Sequence, residues 1–399
     1  MEPGSTGFML LATSLVMLMT PGLAFFYGGL VGRKNVLTIM MQSFVSMGVT
    51  TIIWVTVGFS LCFSGDVGGI IGNLDHAFLM GIDLNTPFTA DIPVFVFIAY
   101  QMMFAVITPA LITGAFANRV RFPAYLIFLV AWLLLVYFPM VHMVWGGGVF
   151  AQWGVLDFAG GIAVHAIAGM AALASVFYVG ARKDKPSGPH SIPLVALGTG
   201  LLWFGWYGFN AGSELRVDEV TVTAFLNTDI AASFAAISWL ILAWTLEKKP
   251  KFVGLLTGAV AGLATITPAA GFVTPQAAMV IGLLAGIVCY FAVALKNKRH
   301  WDDALDVWGV HGVGGTVGVV CLGLFASLEV NSAGSDGLFY GDAWFFVVEV
   351  VAVAIASAYA FVFTYIMLRI INRITKVRVS DADEVIGLDQ TEHGEEAYL

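Results

Sequence analysis

Two histidines, His165 and His311, sit inside long apolar runs of a 399-residue chain. Ionisable side chains in such runs are costly and rare, which makes these two the first candidates for chemistry. Each follows an aspartate near the start of its run, Asp157 before His165 and Asp306 before His311. A carboxylate there accepts from the orphan backbone N–H groups of a helix start and acts structurally and electrostatically. At 1.5 Å of rise per residue, His165 lies about 12 Å inward from Asp157 and His311 about 7–8 Å inward from Asp306. If the two runs cross in opposite directions, the imidazoles approach the middle from opposite faces and meet. Buried imidazoles stay neutral or share one proton, and they titrate as a pair. Such a pair offers one donor and one acceptor to a small polar solute and can relay a proton. Two other readings stay open. Each ring could satisfy a carbonyl at a helix contact, or both could bind a metal, although two imidazoles are an incomplete zinc shell and the spans supply no evident third ligand.

The elements that must hold this pair follow from composition. Hydrophobic residues make up 59% of the chain and charged residues 11%, with a mean hydropathy of +0.89. Soluble domains carry about 25% charged residues, so a water-soluble globule is excluded. The apolar blocks are long enough to cross about 30 Å of hydrocarbon. They predict eleven spans near 7–31, 38–63, 93–117, 122–140, 158–181, 192–211, 222–246, 252–267, 274–295, 307–328 and 343–370: an all-α polytopic membrane protein. The first run is too long, and its flank too acidic, for a cleaved signal peptide. Cys62, Cys289 and Cys321 are odd in number and widely separated, so no disulfide or metal spacing is implied. His76, His142, His190, His300 and His393 are placed in loops or the tail.

Charge sets the orientation. Seventeen of the 18 Lys and Arg residues fall in alternate loops or after the last span, leaving only Arg216 on the other side. Basic loops mark the cytoplasmic side, which predicts the N-terminus outside and the C-terminus inside. Most of the net charge of −8 lies in the last twenty residues, and nothing suggests nucleic-acid binding. The reading divides the chain into a membrane domain, 1–370, and a tail, 371–399, which by composition alone is solvated and disordered. An odd span count suggests two inverted five-span halves plus one helix. The predicted repeats cover about 7–181 and 192–328. Ile107-Thr108-Pro109-Ala110 recurs as Ile266-Thr267-Pro268-Ala269, and the two Asp…His segments fall in partner spans. Glycines at 160, 161, 169, 309, 312, 314 and 315 allow close helix approach between them.

Four motifs carry a resemblance covering essentially the whole chain: Asp157–His165 as DFAGGxxVH, Gly208–Ser213 as GFNAGS, His142–Gly148 as HMVWGGG, and Asp306–Gly315. By them the chain resembles the ammonium transporter/methylammonium permease/Rhesus family, and within it the microbial ammonium transporters. The resemblance implies transport of ammonium, ammonia and methylammonium without a cofactor, and no enzymatic activity. It implies an outer recruitment site of Trp145, Phe104 and Ser213, where aromatic faces and a hydroxyl replace hydration, worth about 1–2 kcal/mol when partly desolvated. Phe104 and Phe209 match a phenylalanine gate, and His165 and His311 the twin histidines of a narrow apolar pore. Thr267 is a minor candidate. Tyr100 stands where relatives often carry Phe, a departure whose hydroxyl could tune the vestibule. The resemblance further implies a homotrimer in the lipid bilayer of the cell membrane, and a tail that docks between subunits and meets a PII-type nitrogen-regulatory protein. The alternatives are a Rhesus-like passive ammonia channel and an ammonium sensor acting through the tail.

Overall fold

The computed structural model describes residues 2–83, 88–89, 91–185 and 188–398; parts of two predicted loops (84–87, 90, 186–187) and both terminal residues lie outside them. Among the described residues the chain is all-helical, with two isolated β-bridges and no sheet. Ten helices are long and apolar enough to cross a membrane. They are α1 (Pro3–Leu30), α2 (Arg33–Phe63), α3 (Val94–Ile112), α4 (Phe122–Gln152), α5 (Gly161–Val179), α6 (Ile192–Glu214), α7 (Glu219–Glu247), α9 (Pro275–Lys298), α10 (Trp308–Phe325) and α11 (Ala343–Ile374). The apolar Phe252–Ile266, shorter than the rest, is α8, and the predicted eleven spans are present. The N-terminus and tail lie on opposite ends of the bundle, here called the N face and the C face.

α4 runs past its predicted end. Phe138–Trp145 is helical, so His142 is a buried helix residue and not a loop residue. Pro139 in this stretch sits at the start of a turn that follows a π-helical segment, Leu133–Tyr137, where a missing N–H costs little.

Starts are marked by conventional caps. Glu2 receives Gly4 and Ser5 N–H groups, Asp218 forms a capping box with Thr221, and Thr274 and Asp342 cap α9 and α11. These side chains satisfy donors that have no helical partner. α1 and α6 pack backbone to backbone: a Cβ on Gly198 would lie 2.2 Å from the Phe26 nitrogen.

The tail is ordered, in contrast to its composition. Arg121 N–H donates to the Val377 carbonyl and Val379 N–H to that of Arg119. Arg378 reaches the carbonyls of Val179 and Ala181 and the Glu384 carboxylate. Asp389 accepts from the Leu37 and Thr38 backbones and the Thr38 hydroxyl, capping the first turns of α2. Beneath the tail, Asp302 is held by Arg182 at 2.7 Å, Lys185 at 3.6 Å and the buried Arg119 at 3.8 Å. Burial opposes ionisation of Asp302, but the Arg182 hydrogen bonds and the guanidinium charges of Arg182 and Arg119 outweigh it and hold the carboxyl far below the usual range.

Candidate functional site

The histidine pair is built by two irregular helix starts. α5 opens with a π-helical turn, Gly161–Ala166, and α10 with another, Trp308–Gly312. Such turns carry one extra residue and occur often at functional sites. In α5 the Asp157 carboxylate accepts four backbone N–H groups, those of Gly160, Gly161, Ile162 and Ala163, at 2.6–3.0 Å. In α10 the equivalent acceptor is Asp303, bonded to the Val307 and Trp308 N–H groups at 3.1 and 2.8 Å. This corrects the expected role of Asp306, which instead bonds Lys296 at 2.5 Å. Asp303 precedes His311 by the same eight residues that separate Asp157 from His165, so Asp303 is the better repeat partner.

Where α5 and α10 cross there is no room for side chains. A Cβ on Gly169 would lie 2.0 Å from the Gly312 nitrogen, and one on Gly315 2.8 Å from the Ala166 nitrogen. His165 Nδ1 and His311 Nδ1 consequently stand 3.3 Å apart. One ring must donate and the other accept, leaving a free Nε2 acceptor on the first and an Nε2–H donor on the second. His165 is 1% and His311 3% exposed, and His165 Nε2 has no partner.

The predicted aromatic residues line up toward the N face. His165 lies 6.1 Å from Phe209 between ring centroids, and Phe209 stacks on Phe104 at 4.1 Å and 23°. Phe104 meets Trp145 edge-on at 6.0 Å. The Trp145 indole donates to the Asp157 carbonyl at 2.8 Å, which fixes its plane. Ser213 donates to the Phe209 carbonyl. Tyr100 is fully buried, its hydroxyl within 2.9 Å of the Gly208 and Phe209 carbonyls and 3.3 Å from Ser213 Oγ, so it ties α3 to the end of α6. Thr267 does not reach the histidines; it accepts from the Trp206 indole at 2.9 Å.

Three cavities follow this line. The N-face vestibule, about 360 Å³, is lined by Trp145, Ser213, Asp157, Gln101 and Glu214. A constriction of about 10 Å³ follows, walled by Phe209, Trp206, Val164, Leu202 and both histidines. His311 also lines the C-face vestibule of about 240 Å³ with Phe26, Val260 and Asp306.

Three residues escaped the sequence reading. Trp206 stacks on His165 at 5.4 Å and 25°, yet a tryptophan in a span carries no distinguishing signal. Asp303 was hidden by the nearer Asp306, although equal spacing could have found it. Glu349, fully buried in α11, accepts from the Leu156 N–H at 2.6 Å; as an acidic residue inside a span it was open to detection.

The profile of the Ammonium Transporter Family matches residues 7–398. The chain belongs to that family. Among its members, an ammonium transporter of Bacillus subtilis is 48% identical over 100% of this chain and 99% of its own length. The ammonium transporter Amt1 of Archaeoglobus fulgidus is 43% identical, with 100% of both chains covered. Of solved structures in the Ammonium Transporter Family's fold, Saccharomyces cerevisiae Mep2 superposes with a TM-score of 0.89 at 34% identity, covering 95% of this chain and 88% of its own. A sensor Amt protein gives 0.89 at 29% identity, covering 98% of each.

Proposed function

We propose that this protein transports ammonium and methylammonium across a cell membrane, with the N face outside and the C face inside. Ammonium enters the N-face vestibule, where the Trp145 and Phe104 rings and the Ser213 hydroxyl replace part of its hydration. A constriction of about 10 Å³ walled by apolar side chains and two imidazoles, with no carboxylate, cannot repay the desolvation of a bare cation. Ammonium therefore gives up its proton near the Phe104–Phe209 stack, either back to water in the vestibule or to the unpartnered His165 Nε2 for relay inward, and ammonia passes along the histidine pair, donating to one Nε2 and accepting from the other. The observation that carries this reading is the unbroken succession Trp145, Phe104, Phe209, His165, His311, whose members touch and join two open vestibules. The relatives' names supply the substrate. Family membership also supports a homotrimer and a C-face contact with a PII-type protein through the ordered tail.

The test is current from the purified protein in a supported bilayer after an ammonium pulse, with a pH-sensitive dye inside matched vesicles. A saturable inward current that disappears in the His165→Ala/His311→Ala double variant supports charge movement linked to this route. Interior alkalinisation without current gives a neutral ammonia channel. Unchanged transport in the double variant overturns the histidine pathway.

A further inference from the structure

His142 lies one helical turn before Trp145 and is fully buried, yet the transport path does not use it. Its Nδ1 is 2.9 Å from the Cys62 carbonyl and its Nε2 3.1 Å from Asp66 Oδ1. A carbonyl only accepts, so Nδ1 carries a proton. Asp66 lies outside the spans, and hydrogen bonds from His142 and then from the Gly69 N–H hold its carboxyl below the ordinary range. An ionised carboxylate also only accepts, so Nε2 donates as well.

The ring thus joins two segments at the rim of the vestibule. Residues 62–69 come from the end of α2 and the loop after it. The other segment is the end of α4, where the His142 carbonyl accepts the Gly146 and Gly148 N–H groups and Gly69 O accepts from Val149. The approach is tight: a Cβ on Gly146 would lie 2.0 Å from the Cys62 oxygen. Trp145 sits between these attachments, its own indole spanning to the Asp157 carbonyl.

We propose that His142 is a positioning residue for the recruitment site, a doubly donating clamp between Cys62 and Asp66 that sets the pose of Trp145. This rests on the recruitment role given above to Trp145. Without a proton on Nε2 the ring would face the carboxylate lone pair to lone pair and would no longer hold the loop. Asp66 is the one charged group hydrogen-bonded to the ring.

The experiment uses the full-length protein in vesicles. Nitrogen NMR of ¹⁵N-histidine-labelled protein, assigned by the signal missing in His142→Gln, reports whether both ring nitrogens carry protons. In parallel, methylammonium uptake is measured against concentration in the wild type and the variants. The clamp predicts protons on both nitrogens. It predicts that Asp66→Ala raises the apparent KM roughly three- to tenfold with maximal rate kept. Asp66→Asn can turn its amide to donate to a neutral Nε2 and restores a near-normal KM. A bare Nε2 overturns the clamp, as does an unchanged KM in Asp66→Ala when Trp145→Leu raises KM. An unchanged KM in Trp145→Leu overturns the recruitment reading and with it the positioning role, while the NMR result still decides the protonation of the ring.

Discussion

Phe209 stands with one face on Phe104 and its ring centroid 6.1 Å from that of His165, so at the scale of single residues it is the partition between vestibule and constriction. Phe209→Ala removes that partition without removing a hydrogen-bonding side chain. The expected outcome is altered permeation, with water or potassium leaking at rates the wild type does not show, read in stopped-flow and flux assays on vesicles; wild-type transport and tightness would remove Phe209 from the gate. Trp206 predicts the opposite kind of change. Trp206→Phe keeps an aromatic face for His165 but removes the donor to Thr267, leaving a buried hydroxyl oxygen with one partner fewer. A stability loss of about 1–2 kcal/mol is expected from that unsatisfied group, seen as a lower melting temperature in detergent with transport retained. At this scale the positions of His165, His311, Trp145, Phe209 and Ser213 were legible because they belong to motifs with fixed spacing, whereas Phe104 lies outside those motifs and was named only by the family resemblance. Trp206 and the turned inward His142 were not, since a residue type in an apolar run says nothing about which way it faces.

At the scale of elements, the two π turns decide where the histidines point. No pattern of apolar residues reveals such a turn, because the helix on either side keeps its ordinary period and every face of a buried span is apolar. The Asp157 carboxylate underwrites the first turn by accepting four N–H groups. Asp157→Asn keeps one acceptor oxygen and strands part of that set; at about 1–3 kcal/mol per unsatisfied buried group, a clear fall in melting temperature is expected, larger than for Asp306→Asn, whose carboxylate caps nothing in α10. Equal falls in the two variants would contradict the assignment of Asp303 as the α10 cap. Gly169→Ala tests the crossing itself. Its methyl group would overlap the Gly312 backbone, so α5 and α10 must separate and the 3.3 Å contact between the rings must lengthen. Loss of transport in a protein that still folds, shown by gel filtration and thermal melting, is the expected result.

At the scale of the whole molecule, the C face is drawn together by charge. Asp302 anchors Arg182, Lys185 and Arg119, and its carboxyl is depressed relative to the unfolded chain. A depressed carboxyl contributes stability above the unfolded value of about 4, and that contribution fades as pH falls toward the folded value. Asp302→Asn should therefore melt below wild type at neutral pH, with the gap narrowing in acid; a gap independent of pH would mean the carboxylate charge is not what holds the face. The span number and the alternation of basic loops were readable because membrane insertion writes itself into composition. The order of the tail was not, since its acidic residues look like a solvated segment until the N–H groups and cations they meet are brought beside them from loops far away in sequence. That distance has a consequence for how the protein is made. The first turns of α2 are capped by Asp389, which leaves the ribosome some 350 residues later, at about 5–20 residues per second a delay of tens of seconds. Throughout that interval α2 ends in open donors, and a chain cut short before Asp389 keeps them. The start of α2 is thus finished only when synthesis is, by a residue from the far end of the chain.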